Sequence, residues 1–414
     1  MRHGHVRRES LLYVVVAATR PRYCGILLVA ALWFTAGLVC PGHAAAQKVK
    51  RTPPPPFAAL FPLEEAWMIT LPALPAAPAA REGSRMFVPL ASGELVALDW
   101  EHGDMLWSVR FAATSAPVAA GGVVYVGAGD TLHALDATSG AGRWMSHARG
   151  TLQYLALAGT HVLAVGAGFA HAFDAASGGE LWSRTLPPAG DATGLVVSAT
   201  TLFATYGEGR VVALALADGR DQWARPLEGR LSPPLLLGDA LFVGSTEKQF
   251  HSLDARTGKV RWTWRTGGDV VGAAADGAAN PKAVYYGSLD AVVRAVNPGN
   301  GHQRWKRDGG TRAVAPPLAL DGSVLVAGLT PSLSGFAPLT GVPQGTFALP
   351  GEVHGTPLVS DALVPRTVAV AVVLKDGRTF GLRALSLMFN ESAPEPLLTL
   401  PGKPLTRERL PGGS

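Results

Sequence analysis

Three histidines hold equivalent places in a repeating sequence: His133, His171 and His251 each stand three residues before an aspartate, Asp136, Asp174 and Asp254. Imidazoles beside carboxylates are what a zinc site or an acid–base pair is made from. The repeat argues against both. The matching places in other copies hold Val96, Val212 and Arg294. One histidine per copy sets the rings on different units, whereas zinc needs its ligands about 2 Å from one centre. The three rings are therefore expected to pack between sheets with local hydrogen bonds. The aspartates recur with a regularity that a turn explains better than paired catalysis does. Tryptophans recur with them. A carbohydrate-stacking ring would use such residues, but their fixed place beside a turn predicts packing. The sequence contains no G-x-S-x-G, P-loop, H-E-x-x-H or dinucleotide fingerprint. Gly127-Ala-Gly129 and Gly166-Ala-Gly168 read as strand-end glycines, since no helical pattern follows them. No catalytic, cofactor-binding or metal-ligating residue is assigned.

The repeat itself positions these residues. Trp67, Trp107, Trp144, Trp182, Trp223, Trp262 and Trp305 lie 40, 37, 38, 41, 39 and 43 residues apart, and Gly345 falls at the next position, 40 further on. Asp99, Asp136, Asp174 and Asp254 stand eight residues before their tryptophan, with Asn297 equivalent and Ala215 and Ala337 as replacements. Gly103, Gly140, Gly178, Gly219, Gly258, Gly301 and Gly341 stand four before. An Asp or Asn opening a turn accepts backbone N–H groups two or three residues on. The glycine supplies a positive φ. The indole is expected to lie between adjacent sheets, where its loss would cost about 3–5 kcal/mol.

Upstream of each turn runs an apolar or alternating stretch, such as Val123–Val126, His161–Val165, Ala240–Val243 and Ser323–Ala327. An earlier short run often opens on proline, as at Pro233–Leu237 and Pro316–Leu320. Each unit thus offers four short strands bounded by turn residues. Four-stranded sheets at a period near 40 predict an all-β, eight-bladed β-propeller of antiparallel blades. The eighth unit, Thr356–Leu387, has no tryptophan turn. The strand around Trp67 is expected to supply its outer strand and so close the ring, with Leu397–Pro401 as the competing candidate.

Of the 414 residues, 16% are charged and 49 are glycine, against about 25% and about 7% in ordinary usage. This is a turn-rich, closely packed chain. Five arginines against Glu9 in residues 1–46 account for +4 of the formal net charge of +5. The basic balance is therefore no sign of a nucleic-acid partner, and no basic, aromatic-interleaved stripe is present. Residues 1–46 read as a signal peptide: Arg20 and Arg22 precede the apolar run Cys24–Val39, and Ala44-x-Ala46 fits cleavage after Ala46. Acylation at Cys40, export through a twin-arginine signal at Arg7-Arg8, and retention of 24–39 as an inner-membrane anchor stand beside that reading. All place the body outside the cytoplasm, periplasmic or outer-membrane associated. Cys24 and Cys40 are the only cysteines, so a cleaved chain would have no disulfide and no thiolate nucleophile. Residues 47–63, with Pro53–Pro56, read as a semi-rigid linker, 64–400 as the propeller and 401–414 as a polar tail.

Ala134-Leu-Asp136-Ala-Thr-Ser-Gly140-x-x-x-Trp144 and Ser252-Leu-Asp254-Ala-Arg-Thr-Gly258-Lys-Val-Arg-Trp262 resemble the pyrroloquinoline-quinone-type (PQQ-like) propeller repeat. The resemblance covers about residues 60–400. Within that superfamily the chain is closest in character to the propeller lipoprotein subunit of the bacterial outer-membrane barrel-assembly machinery. The resemblance implies a non-catalytic scaffold without cofactors, whose partners are proteins of the cell envelope, bound through loops on one face. Two other functions stay open: a quinone-dependent dehydrogenase, and a ligand-binding or sensor propeller. The dehydrogenases of the superfamily carry an adjacent cysteine pair and a calcium held by acidic and amide ligands. The propeller region here has no cysteine.

Overall fold

The computed structural model describes residues 60–385, except 276–282, 321, 361–363 and 365. They form eight separate four-stranded antiparallel sheets, arranged as the blades of a propeller. Blade 1 consists of Ala80–Glu82, Arg85–Leu90, Glu94–Asp99 and Met105–Arg110. Blades 2 to 7 repeat that up-and-down order, ending with Leu318–Leu320, Ser323–Ala327, Ser332–Phe336 and Pro343–Ala348 in blade 7. The first strands of blades 1 to 7 touch in succession and so line the axis. The second strands are wholly or almost wholly buried, as at Thr201–Tyr206 and Ala240–Ser245. That is why they read as unbroken apolar runs rather than alternating ones. The fourth strands alternate, as at Met105–Arg110 and Asp221–Pro226, because only one side of the rim is covered.

Blade 8 is assembled from both ends of the ring. Its inner strands are Leu358–Val359, Val368–Val373 and Arg378–Ala384, and its outer strand is Leu63–Thr70. Trp67 pairs with Gly381 and Met68 with Phe380. The N-terminal strand therefore closes the ring. The competing stretch Leu397–Pro401, residues 1–46, which read as a signal peptide, and residues 401–414, which read as a tail, lie outside the described residues. Leu60, Phe61 and Leu63, at the end of the stretch assigned to the linker, are 0%, 5% and 8% exposed. They join the apolar cluster between blades 7 and 8, where Phe61 lies against Gly335 and Gly345 of blade 7.

The core is divided. Eight apolar clusters each span two neighbouring blades. One joins Leu163 and Trp182 of blade 3 to Leu202 and Leu214 of blade 4; another joins Trp67 of blade 8 to Met86 and Val88 of blade 1. The up-and-down chain path puts two kinds of turn on opposite faces of the ring. Turns after the first and third strands form one face, the turn face. Turns after the second strand, with the links between blades, form the other, the link face.

Candidate functional site

The repeated residues converge on the joints between blades. In each of seven joints an indole on the outer strand of one blade donates its Nε1–H to the next blade's turn. The acceptors are Trp100 (from Trp67, 3.0 Å), Ala137 (from Trp107, 3.2 Å), Ala175 (from Trp144, 3.1 Å) and Leu216 (from Trp182, 2.8 Å). The series continues with Ala255 (from Trp223, 2.9 Å), Pro298 (from Trp262, 3.1 Å) and Pro338 (from Trp305, 2.8 Å). Each acceptor is the carbonyl just after the turn-opening Asp, Asn or Ala. The indole thus docks on the turn of the following repeat, not its own.

The turn is shaped for this. Asp99, Asp136, Asp174 and Asp254 accept two backbone N–H groups through Oδ1, at 2.8–3.2 Å. Gly103, Gly140, Gly178 and Gly258 return an N–H to the aspartate's carbonyl at 2.8–3.0 Å. The glycines carry φ from +66° to +79°. They serve a second purpose: a Cβ on any of the four would stand 2.5–2.8 Å from the neighbouring indole ring. Gly219, Gly301 and Gly341 form the same floor for Trp182, Trp262 and Trp305. Arg143 holds the Asp136 carboxyl down to about 2, with help from Ser139 and Thr138. Arg261 does the same for Asp254, also about 2.

A further latch, not visible in the repeat pattern, lies two residues beyond the tryptophan. Ser146, Arg225, Trp264 and Arg307 donate to the carbonyls of Gly178, Gly258, Gly301 and Gly341 respectively. The sequence hides it because three chemically unlike groups, a hydroxyl, a guanidinium and an indole, fill one structural role. Arg184, at the same place in blade 3, pairs with Asp221 at 2.7 Å instead.

The histidines lie apart, each under the link that arrives from the preceding blade. His133 stacks on Phe111, with centroids 5.1 Å apart. His171 is 1% exposed; its Nδ1 meets Glu180 at 3.0 Å and its Nε2 accepts the Arg149 N–H at 3.3 Å. His251 meets the Thr263 hydroxyl at 3.0 Å, and its Nε2 is buried with no hydrogen-bond partner among the described residues. Burial lowers the pKa of all three. Among the described residues no three His, Cys, Asp or Glu side chains come together as a metal-holding group.

On the link face, Asp290 and Arg294 clamp the second turn of blade 6. Arg294 Nη2 reaches Asp290 Oδ2 at 2.6 Å, and the Gly267 and Val292 N–H groups also donate to that carboxyl. Burial alone would raise the Asp290 pKa; the bonds from Arg294, Ser288 and Val292 outweigh it and hold it near 2. An open groove of about 590 Å³ between blades 4 and 5 on the turn face is lined by Thr201, Phe203, Gln222, Leu236 and Arg256. Its walls are joint residues and turn tips.

This architecture defines a PQQ-type propeller whose repeat signature is spent on joining blades. The family model described as "Outer membrane protein assembly factor BamB" matches residues 64–264, 166–307 and 289–387, and the chain belongs to that family. A curated relative, outer membrane protein assembly factor BamB of Burkholderia pseudomallei (strain K96243), is 32% identical over 164 residues. That match takes in 37% of this chain and 42% of the relative, so the chain spans about two fifths of the length of the curated relative it matches. Among solved structures, BamB from Moraxella catarrhalis aligns with a TM-score of 0.62 at 18% identity, covering 78% of this chain and 99% of that one. A quinohemoprotein alcohol dehydrogenase from Pseudomonas putida HK5 aligns with a TM-score of 0.62 at 13% identity, covering 79% and 77%. At such identities both likenesses show the fold alone.

Proposed function

We propose that this chain is a non-catalytic, extracytoplasmic scaffold that binds protein partners in the cell envelope and takes part in outer-membrane protein assembly. The observation that carries the reading is the assembly-factor family match across residues 64–387. The geometry supports it. Indoles, turn carboxylates and glycines that could be mistaken for a site are occupied in holding blades together. Export is read from residues 1–46, and the tether would be a lipid on Cys40, the apolar run 24–39, or neither after cleavage at Ala46. Leu60 and Leu385 both lie at the turn face beside blade 8, where the Leu385 N–H donates to the Pro62 carbonyl at 2.9 Å. The link face is thus turned away from the point where the N-terminal segment joins the ring, and it is the face offered to a partner.

Chemical crosslinking of intact envelopes, followed by purification of the tagged full chain, tests this. Recovery of barrel-assembly components is expected. Their absence, with the chain itself recovered from the cytoplasm, would sink the reading. The enzyme alternative is tested separately. Pyrroloquinoline quinone with calcium added to the purified protein should give no absorbance change and no dye reduction with alcohols or sugars.

A further inference from the structure

Among the described residues, seven joints of the ring carry an indole, and the joint between blades 7 and 8 does not. Its outer-strand position is Gly345, and the residue paired with it across the sheet, Gly335, is also glycine. Phe61 from the N-terminal segment fills the slot they leave. A Cβ on Gly345 would lie 2.8 Å from the phenyl ring, and one on Gly335 would overlap it. Phe61 shares one apolar cluster with Leu60, with Leu325 and Leu333 of blade 7 and with Val370 and Leu382 of blade 8. The Leu60 N–H donates to Ser323 Oγ at 3.2 Å.

The joint on the other side of blade 8 is built differently. Trp67 donates to the Trp100 carbonyl at 3.0 Å, and the Trp100 indole donates to the Val368 carbonyl at 2.9 Å. The Glu101 carboxylate accepts the Val368 N–H at 2.9 Å, and the Arg81 guanidinium stands 4.4 Å over the Trp100 ring. Directed bonds hold blade 8 to blade 1. A phenyl has no N–H to give, so blade 7 meets blade 8 mainly through apolar contact. Phe61 also precedes the paired strand Leu63–Thr70. It can therefore leave its slot without undoing any sheet.

We propose that the ring opens at the joint between blades 7 and 8, and that Phe61 is its releasable latch. Withdrawing the ring separates blade 7 from blade 8 while the seven indole joints stay shut. The product is an open arc of eight intact blades rather than an unfolded chain.

Thiol labelling of the native full chain tests this. In a background with Cys24→Ser and Cys40→Ser, Ala327→Cys places a thiol in the 7–8 joint and Ala204→Cys one in the 3–4 joint; the two alanines are 4% and 0% exposed. The first thiol is expected to react with a maleimide on the order of a hundredfold faster than the second, since labelling requires local opening. Phe61→Ala should speed the first by about a further hundredfold, as for a deleted core aromatic ring, and leave the second unchanged. Gly335→Ala, which pushes the ring out from the other wall, should do the same. If Phe61→Ala does not fold, the unmodified latch and Gly335→Ala still decide. Equal labelling at the two joints, or acceleration of both by either variant, overturns the proposal.

Discussion

If each turn glycine is the floor under a neighbour's indole, two glycines with the same backbone conformation should tolerate alanine very differently. Gly219 has φ +68°, and a Cβ there would stand 2.6 Å from Cε3 of Trp182. Gly238, one blade on, has φ +59°, and a Cβ there would meet nothing within 4 Å. Both substitutions carry the left-handed backbone cost, about 1–2 kcal/mol. Gly219→Ala adds overpacking against a ring that is 8% exposed and pinned to the Leu216 carbonyl, about 1–3 kcal/mol more. Urea unfolding followed by tryptophan fluorescence and circular dichroism should therefore place Gly219→Ala about 2–5 kcal/mol below the parent and Gly238→Ala about 1–2. In a Trp182→Ala background the excess at Gly219 should vanish, which makes the coupling a double-mutant cycle. Equal costs at the two glycines, or an excess that survives loss of the indole, would refute the floor.

Other consequences can be checked in the same way. Trp182→Phe keeps most of the packing but leaves the Leu216 carbonyl without its donor, so it should cost about 1–3 kcal/mol, against about 3–5 for Trp182→Ala. His171 is held neutral by burial, with Glu180 opposing, so its folded pKa lies below the ordinary 6.5. Its stabilisation is then full above pH 6.5 and lost as pH falls below that value, because the unfolded chain takes up the proton first. The melting temperature should fall between pH 7.5 and 5, and by less in His171→Leu. Asp254 titrates near 2 instead of 3.8, chiefly through Arg261. Its contribution is present above pH 3.8 and disappears as pH drops towards 2, so Asp254→Asn should flatten that acid limb in a denaturant titration.

Spacing along the chain determined a great deal. The tryptophan period, the Asp and Gly at set offsets and the four short runs per unit are local facts, because a turn and its flanking strands are built from one stretch of residues. They were enough for blade number and strand number, and they put the Trp67 strand forward to close the ring with Leu397–Pro401 as its competitor; the pairing of Trp67 with Gly381 decided between them. Gly345, where an eighth tryptophan was due, even marked the odd joint. What filled that place could not be read, because Phe61 lies nearly three hundred residues away and belongs to a stretch that looked like linker. Nor could the partner of each indole be read: it faces the next blade, and only packing decides which turn it meets. The second latch was hidden because serine, arginine and tryptophan share no pattern. They share only a place, opposite a glycine carbonyl on a neighbouring sheet, and that place exists only once the blades are set side by side. The histidines changed least. Their spacing separated them in sequence, and the fold keeps each ring beneath a different link.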